Sequence, residues 1–512
     1  MSGFKLLIDT NVVIGLEDAK PVQESFAELV RLSHENAVGL FVDSANYDDV
    51  SRDKDDARRT VTISKLAKFP RLRGVPLPCE GDLNARFGEM KCDNDRSDVR
   101  LLAALDAKAV DFLVTEDIGL HRRADRTGLG ASVLSVEEAL EWLRQTFQAK
   151  TVRLPYVEER KAYEIDPKEP ILESLRRDYP EFDEWFDGCR LKHRDCWVLE
   201  IGDQIAGIII RKDEDHAEAK TVHSGPKILK VCTFKVRDEF RGEKFGELLL
   251  KQVLWFAKRN QYDLVYLTVF PWHEFLIDLL RSYGFEFTAE RKSGEWVMEK
   301  VMVKGPLPDP TVSIYEEDRR LYPRFHDGPV VRKFCIPIQP DYHRRLFPEI
   351  AEGKPLPLFP SEIRMLDHRR GRKPGNTIRK VYLCRANTTK LRPGDLLFFY
   401  MSKNESYAFS QSITTVAIVE QVSHATVTED LIRLTAKRSV FTEKELDDWR
   451  ASPQRPVKVI DFLLVGHIAP PVELDELVKL RAFKGSPPQS ITELDISRYE
   501  ALRPRINLGF EL

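Results

Sequence analysis

The sequence has no C-x-x-C pair, no basic leader ahead of its first apolar run, no C-terminal lipidation signal and no stretch near the roughly 18 apolar residues of a membrane span. Its seven cysteines are odd in number and scattered, which argues against a disulfide framework and against a structural zinc knuckle. The expectation is free thiols in a soluble, cytoplasmic protein with no membrane attachment. Internal repeats and low-complexity segments are absent too. With 42% apolar residues the chain has the composition of a folded protein, and 512 residues are too many for one ordinary core. Three or four domains of roughly 150 residues each are expected.

Excess charge is missing overall, at −3, but its distribution is uneven. Residues 1–150 carry 21 Lys and Arg against 26 Asp and Glu, and residues 151–327 carry 29 against 34, a balance of −5 in each. Residues 328–512 carry 29 against 22, a balance of +7. An acidic front and a basic back suit a cation-binding unit joined to one that holds a polyanion.

The first 150 residues alternate short apolar runs with helical patterns, the signature of a parallel sheet wrapped by helices. Strands are expected at Lys5 to Ile8, Gly39 to Val42, Phe112 to Thr115 and Val133 to Ser135, with helices at Gln23 to Leu32, Asp48 to Lys65, Asp98 to Ala109 and Val136 to Thr146. A second unit, 151–304, has a hairpin signal around Gly202-Asp203-Gln204, a strand Ile228 to Val236, a helix Gly246 to Asn260 and a strand Leu264 to Phe270. The proline-rich stretch from Gly305 opens a linker, 305–327. Strands dominate from Gly328, as for a small barrel over 328–475 with helices at Asp341 to Glu352 and Glu443 to Trp449, followed by an extension, 476–512.

Ligands of open parallel sheets gather beyond the carboxyl ends of the strands. Asp9 ends the first strand, Asp48 and Asp49 follow the second, Asp98 is expected to open a helix, and Asp117 follows the run Phe112-Leu113-Val114-Thr115. Carboxylates brought to one edge repel unless hard divalent cations sit between them, and Mg²⁺ or Mn²⁺ suits oxygen-only ligation. Strand-end aspartates are also common helix caps, so each acid alone is weak evidence. The segments LLIDTN, YDDV, SDVRLLAAL, VTED and VLSVEEAL over residues 4–147 together resemble the PIN domain family of metal-dependent ribonucleases. The resemblance implies metal ligation by Asp9, Asp98 and Asp117, catalysis by these with Asp48, and pairing of two copies through this domain. The second acidic position is usually a glutamate in that family; here only aspartates are present, with Asp93 and Asp95 nearby.

In the second unit, Phe240-Arg241-Gly242-Glu243-Lys244-Phe245-Gly246-Glu247 lies between a strand and an amphipathic helix, where backbone N–H groups can hold a pyrophosphate. With YLTVF and the later Tyr283-Gly284-Phe285, this succession resembles the GNAT family of acetyl-CoA-dependent N-acetyltransferases. The resemblance implies an acetyl-CoA site formed by Val236, Arg241, Gly242, Lys244, Phe245, Gly246 and Glu247, with pantetheine against a splayed strand around Val231 to Val236. Lys244 stands where a glycine is common, His273 where an asparagine often follows the strand, and Leu280 where a tyrosine often serves as general acid. Glu200 and Glu239 are candidate bases.

In the third unit a basic run holds Arg369, Arg370, Arg372, Lys373, Arg379 and Lys380, interrupted by glycines and Pro374. Seven cations from Arg364 to Lys380 would release several counterions on RNA, so affinity should fall steeply with salt. Phe398, Phe399 and Tyr400 are expected to pack in the core, since consecutive aromatics cannot all face a ligand. Residues 328–470 resemble ASCH and EVE domains of the PUA-like superfamily, although the G-x-K-x-x-E-x-R element is broken after Gly353-Lys354. The resemblance implies RNA binding by the basic run.

The expectation is an α/β multidomain chain: a PIN-like parallel sheet with helices, a GNAT α+β fold and a PUA-like β-barrel with flanking helices. Its expected function is an RNA-acting enzyme that combines a divalent-metal endoribonuclease, an acetyl-CoA-dependent N-acetyltransferase and an RNA-binding module, with tRNA among the candidate RNAs. The alternatives are an acetyltransferase acting on a protein or aminoacyl-tRNA amine beside a degenerate PIN domain, and a non-enzymatic RNA-binding regulator.

Overall fold

Apolar runs bounded by polar turns become the strands of three separate sheets in the computed structural model. The structure describes residues 3–14, 22–75, 77–147, 156–201, 204–240, 242–305, 307, 313–350, 373–374, 377–404, 409–438, 441 and 443–510. Two compact units are formed, one by residues 1–151, 241–243 and 424–459, the other by residues 152–240, 244–423 and 460–512. Among the described residues, no helix is long and apolar enough to cross a membrane.

In the first unit, β1 (Lys5–Ile8), β2 (Gly39–Phe41), β3 (Phe112–Val114) and β4 (Val133–Leu134) form a wholly parallel sheet in the order β2-β1-β3-β4. Fully buried runs such as Leu6 to Ile8 and Phe112 to Val114 are what a sheet covered on both faces requires. The helix expected over Asp48 to Lys65 is two helices, Ser44–Ser51 and Asp56–Leu66. Asp53 accepts from the amide of Asp55, and Asp55 then caps the second helix, so short polar side chains break the run. The helix expected from Asp98 begins at Asp93 instead, because Asp95 reaches back to the amide of Cys92 and closes a capping box. This moves Asp98 from the first residue to the second turn. The segment 424–459, expected within the third domain, packs in this unit; Arg433 lies 3.6 Å from Asp111 and Lys437 lies 3.7 Å from Glu138.

The second unit carries an eight-stranded sheet. Its strands are β5 (Tyr156–Lys161), β6 (Asp195–Ile201), β7 (Gln204–Glu214), β8 (Ile228–Val236), β9 (Leu264–Val269), β10 (Glu286–Glu290), β11 (Trp296–Val301) and the short β13 (Lys373–Pro374). They run in the order β10-β11-β9-β8-β7-β6-β5-β13, with β8 and β9 the parallel pair. The helix Phe245–Arg259 crosses between β8 and β9 and buries Leu248, Leu249, Leu250, Val253 and Leu254. Each such side chain contributes about 1.5–3 kcal/mol of hydrophobic stabilisation before conformational entropy is subtracted.

The same unit holds a six-stranded sheet made from β12 (Lys333–Ile338), β14 (Arg379–Cys384), β15 (Leu396–Met401), β16 (Ser412–Ala425), β17 (Val457–Glu473) and β18 (Thr492–Leu494). Its order is β14-β17-β16-β15-β12-β18, with β12 parallel to β15. Residues beyond 475 thus enter the sheet through β18, which pairs antiparallel with β12. Phe398, Phe399 and Tyr400 are buried, as expected. A strand is expected over Ile378 to Cys384 as well, and Arg379 and Lys380 of the basic run accordingly lie on β14.

Candidate functional site

At the carboxyl edge of the parallel sheet, Asp9 is held from two sides. Its Oδ1 accepts from the Thr10 amide at 2.6 Å, and its Oδ2 accepts from the Thr115 hydroxyl at 2.6 Å. Thr115 Oγ1 also accepts from the Asn11 side chain at 3.1 Å and from the Asp117 amide at 3.0 Å. The TxD element therefore fixes Asp9 and positions Asp117 as well. Asp117 caps the helix Ile118–Arg126 by accepting from the Leu120 amide at 3.0 Å.

Burial pushes the Asp9 carboxyl up to about 6 despite those hydrogen bonds, and repulsion from Asp49 and Asp117 adds to it. Asp98 is pushed up to about 7, first by burial and then by the charges of Asp9 and Asp117, with Arg123 opposing. These acids feel one another across the edge. Asp49 joins the set from the YDDV pair and is itself paired with Arg52 at 2.7 Å, whereas Asp48 is largely exposed and 3.9 Å from Arg100. Asp95 is taken by Arg123 at 2.8 Å and Asp93 by Arg96 at 2.7 Å. Among the described residues, no group of three or more Asp, Glu, His or Cys is gathered closely enough to form a metal set. A cavity of about 350 Å³ beside Asp49 is lined by Arg52, Asp53, Lys54, Arg58 and Asn94 as well, and does not include Asp9, Asp98 or Asp117.

The second candidate site lies where β8 and β9 separate. Their parallel pairing runs from Ile228 and Leu264 to Val231 and Leu267 and stops. Val231 faces Arg211 on β7 and Thr233 faces Ile210, so Cys232 is an extra residue, a bulge that bends β8 away from β9. Val236, at the far end of β8, stays paired with Gly207 of β7.

Beyond β8, Gly242 has φ +83° and an added Cβ would lie 2.7 Å from the backbone of Glu137, so only glycine fits. Lys244, at φ 61°, takes the turn into the helix Phe245–Arg259, whose first turn has no side-chain cap. Uncapped N–H groups at a helix start suit an anion. Phe245 is buried, a Cβ added at Gly246 would touch the Leu279 and Phe234 side chains at ordinary contact distance, and Glu247 accepts from the Arg379 amide at 2.6 Å. Arg241 lies outside the described residues.

Residues that sequence reasoning missed close the other side of this opening. Thr268, the first β9 residue past the last pair, donates its hydroxyl to Glu295 at 3.0 Å, and Tyr179 donates to the same oxygen at 3.2 Å. Phe270 stacks on Trp272 with centroids 4.2 Å apart and an 8° interplanar angle, while Tyr179 tilts against Phe270 at 5.3 Å. His273 Nε2 is 3.6 Å from Asp178. The alternative base Glu200 is committed to Arg160 at 2.6 Å, and Leu280 is a core residue. The missed residues come from three distant segments, and the only local signal was the Ser293-Gly294 turn that presents Glu295.

Of the basic run, Arg369, Arg370 and Arg372 lie outside the described residues, as does the side chain of Lys373. Arg379 pairs with Glu420 through two hydrogen bonds, and Lys380 is buried with its Nζ lacking a hydrogen-bond partner. Burial lowers the Lys380 ammonium to about 7, with Glu349 opposing the shift. Neither side chain is presented as a phosphate contact.

Residues 158–285 match the model of the Acetyltransferase (GNAT) family. The curated protein N-acetyltransferase 8F1 of Rattus norvegicus is 27% identical over 124 residues, 24% of this chain and 52% of that protein. The chain spans about half the length of the curated relative it matches. Among solved structures, ASCH from Zymomonas mobilis has 16% identity and a TM-score of 0.23, covering 34% of this chain and 94% of its own. A GNAT family acetyltransferase from Elizabethkingia anophelis with acetyl-CoA bound has 16% identity and a TM-score of 0.21, covering 28% of this chain and 96% of its own. The chain carries a GNAT acetyltransferase domain over residues 158–285.

Proposed function

We propose that this protein transfers an acetyl group from acetyl-CoA to an amine. The observation that carries the reading is the parting of β8 and β9 after Val231 and Leu267, beside the uncapped start of the helix Phe245–Arg259. The parted strands leave main-chain groups of β8 for an extended pantetheine arm, and the helix start offers N–H groups to the pyrophosphate. Lys244 adds a cation there, with Gly242, Phe245, Gly246 and Glu247 shaping the turn. Hydrogen exchange with and without acetyl-CoA tests the reading. Protection should fall on residues 231–236 and 242–247; unchanged exchange together with no heat of binding would sink it.

A second activity is favoured by the raised Asp9 and Asp98 carboxyls. We read the acidic edge as a Mg²⁺ or Mn²⁺ site that acts on an RNA phosphodiester through Asp9, Asp98 and Asp117, although these three are not gathered into a metal set in this structure. Its support is chemical: buried carboxylates that repel one another are relieved by a dication, which would polarise a phosphoryl oxygen. Mn²⁺-dependent cleavage of an RNA pool should vanish in Asp9→Asn with Asp98→Asn, and cleavage that survives the double replacement rejects the nuclease. RNA remains the proposed partner of the basic residues 369–373.

A further inference from the structure

We propose that the mouth of the cleft past β9 is the acceptor site and that it takes a primary amine carried on a flat aromatic group. This rests on the acetyltransferase reading. The Phe270–Trp272 stack seats the ring, and Glu295 receives the ammonium.

Three observations converge on this place. Trp272 is 62% exposed although its indole lies parallel to Phe270 at 4.2 Å, so one face is fixed and the other is open to solvent. Tyr179 braces Phe270 from the side, which holds the pair in one orientation. A pre-set aromatic surface favours a flat partner over a flexible aliphatic one, because little side-chain freedom is lost on contact.

The charge at the mouth has the right sign. Glu295 takes hydroxyl hydrogen bonds from Tyr179, Thr268 and Ser293, and no lysine or arginine among the described residues lies at ion-pairing distance from it. Those three donors orient the carboxylate without neutralising it. Thr268 sits at the residue where β9 leaves β8, so this carboxylate borders the opening in which the thioester would lie. An incoming ammonium would thus meet a negative charge and an aromatic face together.

The chemistry balances with these groups. The ammonium gives one proton to the Glu295 carboxylate, and the freed lone pair forms a C–N bond to the thioester carbonyl. The C–S bond breaks and CoA leaves as thiolate, which takes the surplus proton from the new amide nitrogen. Glu295 returns its proton to solvent. No buried tyrosine acid is needed, consistent with the core residue Leu280 at the position where the family resemblance seeks one.

The test uses the full-length protein with tryptamine and n-hexylamine as probe acceptors, free CoA thiol as the readout and calorimetric CoA affinity as the control. Wild type should prefer tryptamine by about tenfold or more in kcat/KM. Trp272→Ala should raise the tryptamine KM by about tenfold without moving that of n-hexylamine, and Trp272→Phe should restore most of the difference. Glu295→Gln should lower kcat about 100-fold for both amines. Equal use of the two amines, no acetylation of either by a CoA-binding protein, or a Trp272→Ala variant with unchanged KM would overturn the inference. Loss of CoA binding in the wild type would instead remove the acetyltransferase reading itself.

Discussion

Lys251 Nζ lies 2.7 Å from Glu349 Oε1, joining the helix that starts at the candidate pyrophosphate seat to the segment that follows β12. The contact is one of a stripe at four-residue intervals. Glu247 accepts from the Arg379 amide, Trp255 donates to the Tyr322 hydroxyl at 2.7 Å, and Arg259 packs on Gly509. Residues four apart share a helix face, so this helix lays its core-facing leucines on the eight-stranded sheet and a polar stripe on residues of the six-stranded sheet and its flanks. Burial alone would raise Glu349, but Lys251, His467 and Lys380 hold it well below the usual carboxylate range.

Removing Lys251 takes away the largest favourable charge on buried Glu349 and leaves only His467 and Lys380 to offset its burial. Lys251→Met should therefore destabilise the second unit by about 3–5 kcal/mol in urea unfolding monitored by tryptophan fluorescence. Replacing both, with Lys251→Met and Glu349→Leu, should recover much of that loss. A single variant that unfolds like the wild type would show that the pair contributes nothing.

The acidic edge gives a prediction with the opposite dependence on charge. An unfolded aspartate titrates near 3.9, whereas folded Asp98 is pushed up to about 7. The folded state therefore binds more protons between about pH 4 and pH 7, and its stability falls as pH rises through that window. Asp98→Asn should stabilise the first unit at pH 8 by up to a few kcal/mol, with the gain shrinking towards pH 4. Thermal melts across this range read it directly, and a gain that is constant with pH would contradict it. Mg²⁺ should raise the melting temperature of the wild type more than that of the variant if the acids ligate it.

The parallel strands of the first unit and the run Ile228 to Val236 were legible because apolar periodicity is local. The placement of Asp9 and Asp117 on either side of Thr115 was also legible in outline, since strand ends and the TxD element set one edge. The start of the helix at Asp93 was not, because a cysteine N-cap closed by Asp95 carries a weak signal. The burial of Lys380 was hidden for a different reason. A lysine in a charge run reads as a phosphate contact, and only the pairing of β14 with β17 shows that its side chain is buried. Glu295 was out of reach because its partners Tyr179 and Thr268 lie 116 and 27 residues away.

Gly242 should tolerate no side chain. Its φ of +83° is strained for other residues, and a Cβ would lie 2.7 Å from the Glu137 carbonyl. Gly242→Ala should cost on the order of 1–3 kcal/mol locally, seen as faster amide exchange over residues 242–247. Exchange unchanged from the wild type would mean that the turn relaxes freely.

Arg379 and Lys380 separate a structural role from an RNA-binding one. Arg379 is engaged by Glu420, and Lys380 is buried in the same strand. Arg379→Gln or Lys380→Gln should lower stability and leave the salt dependence of RNA affinity unchanged. Each cation among residues 369–373 that contacts a phosphate should instead contribute a slope of about 0.7 to the log–log salt plot for single-stranded RNA, so neutralising it should flatten the plot by that amount. Filter binding of a short single-stranded RNA from 50 to 200 mM salt distinguishes the two. If Lys380→Gln flattens the slope while the protein stays folded, the buried placement of Lys380 does not describe its role in RNA binding. If neutralising residues 369–373 leaves both slope and affinity intact, RNA is held elsewhere on this chain or not at all.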